Sequence, residues 1–353
     1  MYRLDRRRLE PARLRGDFLF GYPRAAVDAQ GVMHVVWAEP DTSDRRGLNV
    51  LNLVRARFTT LWHASFREGR WTAPAIIYRA QRLRWAPMFA SDLVATSSGM
   101  LVLALAADPE GDRPGVIAYL QLRGDAWSVR ELSLATRAHI YVDVATAGAN
   151  LAVVAYVAAN PAIETLQSSN TVFVVRSVDG GETWSSPAPV SRPGQGLAYL
   201  PRIVVDASNT LHLMWVAGES GKLAVSAMLH LTSTDGSLWT DSPSLPLSGL
   251  IVQSQAVVDK CNTIHVLITR LANGRPGLQH VRFVPGHDPS AESLFPDWTG
   301  SALSPLIDAN RLRLVWEGVP VRQPIEDSPR AIVPIATLYS DIQFDATGSP
   351  SQR

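Results

Sequence analysis

The chain carries a single cysteine, Cys261, in 353 residues, which excludes an internal disulfide framework. Cys261 sits in a DKCN stretch with no His or Cys at zinc-ligand spacing, so no metal site is expected. Charge is sparse and balanced. Charged residues are 18% and the formal net charge is +1, which leaves no broad basic field for nucleic acid. No apolar run approaches the roughly twenty residues of a membrane span, so no membrane partner is expected. The opening stretch MYRLDRRRLEPARLRG lacks the apolar core of a signal peptide, and a cytoplasmic location is the plain expectation. No segment holds a helical period with caps at both ends. No phosphate loop, dinucleotide fingerprint or nucleophile elbow occurs, and no cofactor is expected.

What the chain has in quantity is turns and short apolar runs. Gly and Pro stand at 24 each beside 46% apolar residues, a composition suited to many strands joined by many turns. Residues 177 to 184 read SVDGGETW after the apolar run at Thr171 to Val175. Asp-Gly-Gly is the chemistry of a hairpin tip, because glycine takes the positive φ a tight turn needs. The stretch recurs as SFREGRW ending at Trp71, LRGDAW at Trp127 and STDGSLW at Trp239, with PDWTG around Trp298. This spacing is near-regular, and a period in this range marks a repeat architecture.

A second element alternates with the first. VDAQGVMHVVW (Val27 to Trp37), VDASNTLHLMW (Val205 to Trp215), VDKCNTIHVLI (Val258 to Ile268) and IDANRLRLVW (Ile307 to Trp316) are each strand, turn, strand. Looser copies are ATSSGMLVLAL (Ala95 to Leu105) and ATAGANLAVVAY (Ala145 to Tyr156). We number these six copies as repeats 1 to 6, with turns near residues 28, 96, 146, 206, 259 and 308. Val, Ile, Leu, Thr and Trp fill the runs as strand formers. Two hairpins per unit give four antiparallel strands, and radial repetition of such units gives an all-β propeller. Six copies predict six blades in one domain over residues 1–345, with 346–353 a flexible tail. The segment Arg13 to Phe20 falls one period before Trp71 and is expected to supply the outer strand of the last blade beside Ile332 to Leu338.

Ser177, Asp179, Gly181, Thr183 and Trp184 match the Asp-box, or bacterial neuraminidase repeat, in full. Ser233, Asp235 and Trp239 match a shortened form; Ser65, Gly69 and Trp71 match one without its aspartate. Over nearly its whole length the chain resembles the sialidase-like superfamily of six-bladed propellers. The resemblance implies a structural role for the box and an active face at the opposite strand ends. It also implies a substrate-gripping arginine triad, and this chain departs from it. Gly21 and Tyr199 stand two residues before Pro23 and Pro201, where the family has arginine, and SALSPLID offers no match to its tyrosine nucleophile. Sialidase activity itself is therefore not expected.

The inner strands carry a different polar set. Arg24 and Arg202 each lie four residues before their turn aspartate. Asp92 and Gln255 hold that place in repeats 2 and 5, and Asp143 falls one residue away in repeat 3, beside His139 and Tyr141. Charge on an innermost strand is costly unless paired or wet. One reading is mutual neutralisation across the channel. The other is a pocket for a small polar or anionic ligand such as a glycan. Arg24, Arg202, His139, Tyr141, Tyr199 and Gln255 are the expected ligand contacts, with Trp85 to stack on a planar or sugar ring. A glycosidase needs two carboxyls set apart, and Asp92, Asp143 and Glu39 are the candidates. His34, His212 and His265 recur at one position in different repeats, too far apart for one ion, and read as structural. Two classes remain: an enzyme with an altered site, or a non-catalytic glycan- or protein-binding scaffold, acting as a monomer or weak homo-oligomer.

Overall fold

A computed structural model describes residues 23–40, 58–85, 90–96, 99–108, 115–133, 138–159, 170–192, 197–218, 225–245, 247, 250–272, 275–294, 298–308, 311–320 and 336–343. Strands and turns make up these residues, and no helix occurs among them, so none is long and apolar enough to cross a membrane. Every strand pairing among them is antiparallel.

Repeats 3, 4 and 5 each form their own four-stranded sheet in chain order. In repeat 4 the order is Leu197–Val205, Leu211–Gly218, Val225–Ser233 and Thr240–Leu245. Repeats 1 and 2 share one nine-stranded sheet, because Arg82 and Leu83 at the end of Ala75–Leu83 pair with Asp108 and Ala107. Repeat 6 pairs Trp298–Asp308, Arg311–Pro320 and Ala336–Gln343. The first strands of repeats 3 to 6 pack successively against one another, so each sheet stands beside the next along its inner edge. The expected outer strand at Arg13 to Phe20 lies outside the described residues, as do residues 332–335 of its expected partner and the 346–353 tail.

The inner hairpin has one turn, reused. Asp28, Asp206 and Asp259 each turn a carboxylate oxygen back to accept two backbone N–H groups, those two and four residues on. In repeat 2 the Thr96 hydroxyl accepts from Met100 N instead. The left-handed residue that completes the turn is Gly31, Gly99, Asn209 or Asn262, the types that tolerate it.

The outer turn follows a second rule. In SVDGGETW, Asp179 accepts from Glu182 N, Thr183 N and Thr183 Oγ1, while Ser177 Oγ accepts from Gly181 N at 2.8 Å. Those bonds hold the Asp179 carboxyl far below the usual carboxylate range. Trp184 donates from Nε1 to Gly181 O and meets Tyr119 of repeat 2 edge-on at 4.8 Å. The tryptophan thus seals one repeat against its predecessor.

Arginines add a rim seam. Arg67 donates to Asp125 Oδ1 (2.7 Å), Arg123 to Gly180 O (3.0 Å) and Arg176 to Asp235 O (3.1 Å). Each sits at the end of a third strand and reaches the outer turn of the following repeat. Between these seams lie four apolar clusters. One joins Val102, Ala104 and Ile117 of repeat 2 to Val142, Val154 and Tyr156 of repeat 3. Fully burying each large apolar side chain of this kind is worth about 1.5–3 kcal/mol.

Candidate functional site

The inner strands bring the sequence-predicted residues of five repeats to one place. Arg24 opens its strand, and its Nη1 lies 3.6 Å from Asp92 Oδ1. Gln255 Nε2 donates to the same oxygen at 3.4 Å. Arg202 donates from Nε to Ser254 O at 2.7 Å and holds Nη1 4.0 Å from Asp143 Oδ2. Asp143 Oδ2 accepts from Ile203 N at 2.9 Å. Trp85 lies under Arg24, with the guanidinium carbon 5.9 Å from the ring centroid, a cation–π contact. Two arginines and two aspartates therefore face each other with balanced formal charge.

Burial sets the electrostatics. Arg24 is 3% exposed and Arg202 2%, whereas the Asp92 side chain keeps 30%. Loss of water lowers the Arg24 pKa, and nearby Arg202 lowers it further while Asp92 opposes. Burial pushes the Asp143 carboxyl up to about 6, against the pull of Arg202 and the Ile203 N–H. Nη2 of Arg202 is buried with no hydrogen-bond partner among the described residues. Such groups are costly unless something supplies the missing bond.

A bulge aims the residues at the entry to this cluster. The pairing register slips between Tyr199 and Arg202, and Leu200 there takes φ 51°. A non-glycine residue in that region is strained and commonly marks a functional site. The inner strands of repeats 3, 5 and 6 slip as well, between Ala138 and Val142, Ile251 and Gln253, and Ser301 and Ser304. Tyr141 and Tyr199 are half-buried, and burial first, then Tyr141, pushes the Tyr199 hydroxyl up to about 12. Tyr199 rests on Gly218, where an added Cβ would sit 3.2 Å from its ring.

Glu39 is not part of this group. It is exposed and accepts from Trp62 Nε1 at 3.0 Å. The side chain of His139 lies outside the described residues. A cavity of about 580 Å³ opens elsewhere, at the turn ends of repeats 1 to 3, lined by Gln30, Arg67, Met100, Arg123 and Asn150 among others. Its two arginines are already engaged in the rim seam, so the axial cluster is the stronger candidate. Among the described residues no group of three or more His, Cys, Asp or Glu is placed to hold a metal ion.

Sequence reasoning missed Ser254, whose backbone carbonyl accepts from Arg202 and whose side chain carries no charge to draw attention. It also missed the partners of the three recurrent histidines. His34, His212 and His265 each stack on a histidine of the third strand, His63, His230 and His280, at ring distances of 5.1 to 5.2 Å. The signal was present: LWHAS, LHLTS and LQHVRF place a histidine at the matching point of each third strand.

No protein-family model matches the chain, and no curated protein matches it. Solved structures do. A Hadza microbial sialidase, Hz136, superposes with a TM-score of 0.54 at 13% identity, over 83% of this chain and 62% of its own length. A lectin from Aleuria aurantia, solved with Fucα1-6GlcNAc, gives 0.53 at 11% identity over 94% of both chains. An α-L-arabinofuranosidase from Fusarium graminearum, solved with an iminosugar inhibitor, gives 0.53 at 11% identity over 91% of this chain and 92% of that one. At such identities the likeness establishes fold alone, and that fold is the antiparallel all-β architecture of the β-propellers.

Proposed function

We propose that the chain is a six-bladed, sialidase-like propeller built on Asp-box repeats, with an altered axial site that binds a small anionic or strongly polar glycan rather than cleaving sialosides. The observation that carries the reading is the convergence of Arg24, Asp92, Asp143, Arg202 and Gln255 from five repeats, with Arg202 Nη2 buried and without a partner among the described residues. A buried guanidinium with an unspent N–H favours a carboxylate or a pair of vicinal hydroxyls. Tyr141 and Tyr199 supply half-buried aromatic surface beside it, whereas Trp85, 1% exposed beneath Arg24, is core and not the stacking platform its sequence position suggests; the sugar-binding neighbours share the fold.

Binding is favoured over catalysis because Asp143 is tied to Arg202 and Ile203 N, and Asp92 to Arg24 and Gln255. One observation favours processing: Asp143, held near 6, stands beside the half-open Asp92, and two carboxyls in unlike environments are the pattern of an acid and its partner. Arg202→Met separates ligand binding from architecture. Calorimetry against a panel of acidic and neutral glycans is expected to show roughly a tenfold or greater loss of affinity, as for one charge-assisted bond, with the melting temperature kept or raised. A fall of about 3 to 5 kcal/mol in stability, the signature of an orphaned buried carboxylate, together with intact binding, rejects the reading. Release of aglycone from chromogenic glycosides, abolished by Asp143→Asn, decides for the processing alternative.

A further inference from the structure

Six of the eight histidines form three stacked pairs with one plan. The turn aspartate faces Nε2 of the second-strand histidine at 3.1 to 3.3 Å, and Nδ1 of that ring meets Nε2 of the third-strand histidine at 2.9 to 3.0 Å. In repeat 1 the row ends at His63, whose ring meets the edge of Trp127. In repeat 4 it ends at His230 against the Pro243 carbonyl, an acceptor too but a neutral one, whose pull on a proton is weaker than a carboxylate's. In repeat 5 it ends on a carboxylate: His280 Nδ1 lies 2.9 Å from Glu292 Oε1.

The ends decide how many protons each row needs. A carboxylate at Asp259 accepts the His265 Nε2–H, and His265 Nδ1 then accepts the His280 Nε2–H. Two neutral imidazoles carry two N–H groups, and both are now spent. The third contact would set an imidazole lone pair against a carboxylate at 2.9 Å, two acceptors with no proton between them, beside a fully buried ring. That arrangement costs the unmade bond and adds repulsion.

We propose that the row Asp259–His265–His280–Glu292 is a proton-binding site that holds one proton more than two neutral imidazoles carry, and that this proton ties the outer strand Ser290–Leu294 to its sheet. The extra proton sits on His280. Burial first, then the His280 charge, pushes the His265 pKa down to about 4, while the His280 bond, the largest influence, holds Glu292 below its usual range. Charged groups bearing on the row from the strands and turn packed against it include Asp259, Glu292 and Arg282.

Glu292→Gln tests this, because a carboxamide N–H can donate to His280 Nδ1 and complete the row without the extra proton. Histidine-ring ¹⁵N spectra of the full chain at about pH 7.5, a unit above the ordinary histidine pKa, are expected to show one buried, doubly protonated imidazole in the wild type and none in the variant. Raising the pH should increase the wild-type unfolding constant relative to the variant's by up to about tenfold per pH unit while the row loses its proton. Neutral rings throughout the wild-type spectrum overturn the proposal even if the variant fails to fold. A charged ring that persists in a folded variant overturns it too.

Discussion

At Gly181 the chain has no room for a side chain. Its φ is 94°, and a Cβ there would come 2.7 Å from Tyr119 Cε1. Gly236 in the next outer turn has φ 72° and would meet Val153 Cγ2 at 2.7 Å. Gly69 has a similar φ of 76° but faces open space. The three separate backbone strain from crowding. Gly181→Ala and Gly236→Ala are expected to cost about 2–4 kcal/mol, strain plus overpacking, and Gly69→Ala about 1. Urea unfolding at fixed pH measures each, and equal costs at all three would remove the crowding argument. Residue types at turns were legible in sequence because Asp, Gly and Asn owe their roles to their own backbones. Asp179 was read from its neighbours in the chain and does bond to them. His63 and His280 were not read, because their roles depend on partners a strand away, a distance that composition does not encode. Likewise Arg24 and Arg202 were placed on matching inner positions. That Arg202 spends its Nε on the Ser254 carbonyl follows only from how two sheets meet.

Strands and hairpins carry the acid response. Burial, aided by the neighbouring ring, lowers the pKa of both His63 and His230 to about 4. A histidine with a depressed folded pKa is neutral in the sheet while the unfolded chain takes up protons from about pH 6.5 downward. The stability these rings lend is therefore complete above about pH 6.5 and lost as the pH falls toward 4. Melting temperature should decline across that window, and His230→Asn should flatten the decline. A melting temperature that holds level down to about pH 4.5 in the wild type contradicts the shift. The rim arginines belong to this scale as well. Arg67, Arg123 and Arg176 make few contacts at a largely solvated rim, so replacing one by alanine is expected to cost no more than about 1 kcal/mol. The same strands were legible from their alternation of apolar runs and turns. The fusion of repeats 1 and 2 into one sheet was not, since it rests on two extra pairings at the end of Ala75–Leu83.

For the molecule as a whole, the described strands leave repeat 6 with three members where repeats 3 to 5 have four. We propose that residues 13–20 supply the fourth, beside Ala336–Gln343, and so join the two ends of the chain. Deleting residues 1–20 is expected to lower the melting temperature by roughly 5 °C or more, because an open ring bares sheet edges that the intact one covers. An unchanged melt rejects the closure.

The rim contacts all point one way. Among the described residues, Arg67, Arg123 and Arg176 each reach from one repeat forward to the next. Contacts of this head-to-tail kind close into a ring when the rotation permits and otherwise continue into open chains of molecules. A protein whose closure is broken keeps a donor face at one end and an acceptor face at the other, and each fits its opposite on a second copy. Truncation should therefore yield concentration-dependent linear assemblies in sedimentation velocity rather than unfolded monomer alone, so the device that orders the blades within one molecule becomes a route to polymer.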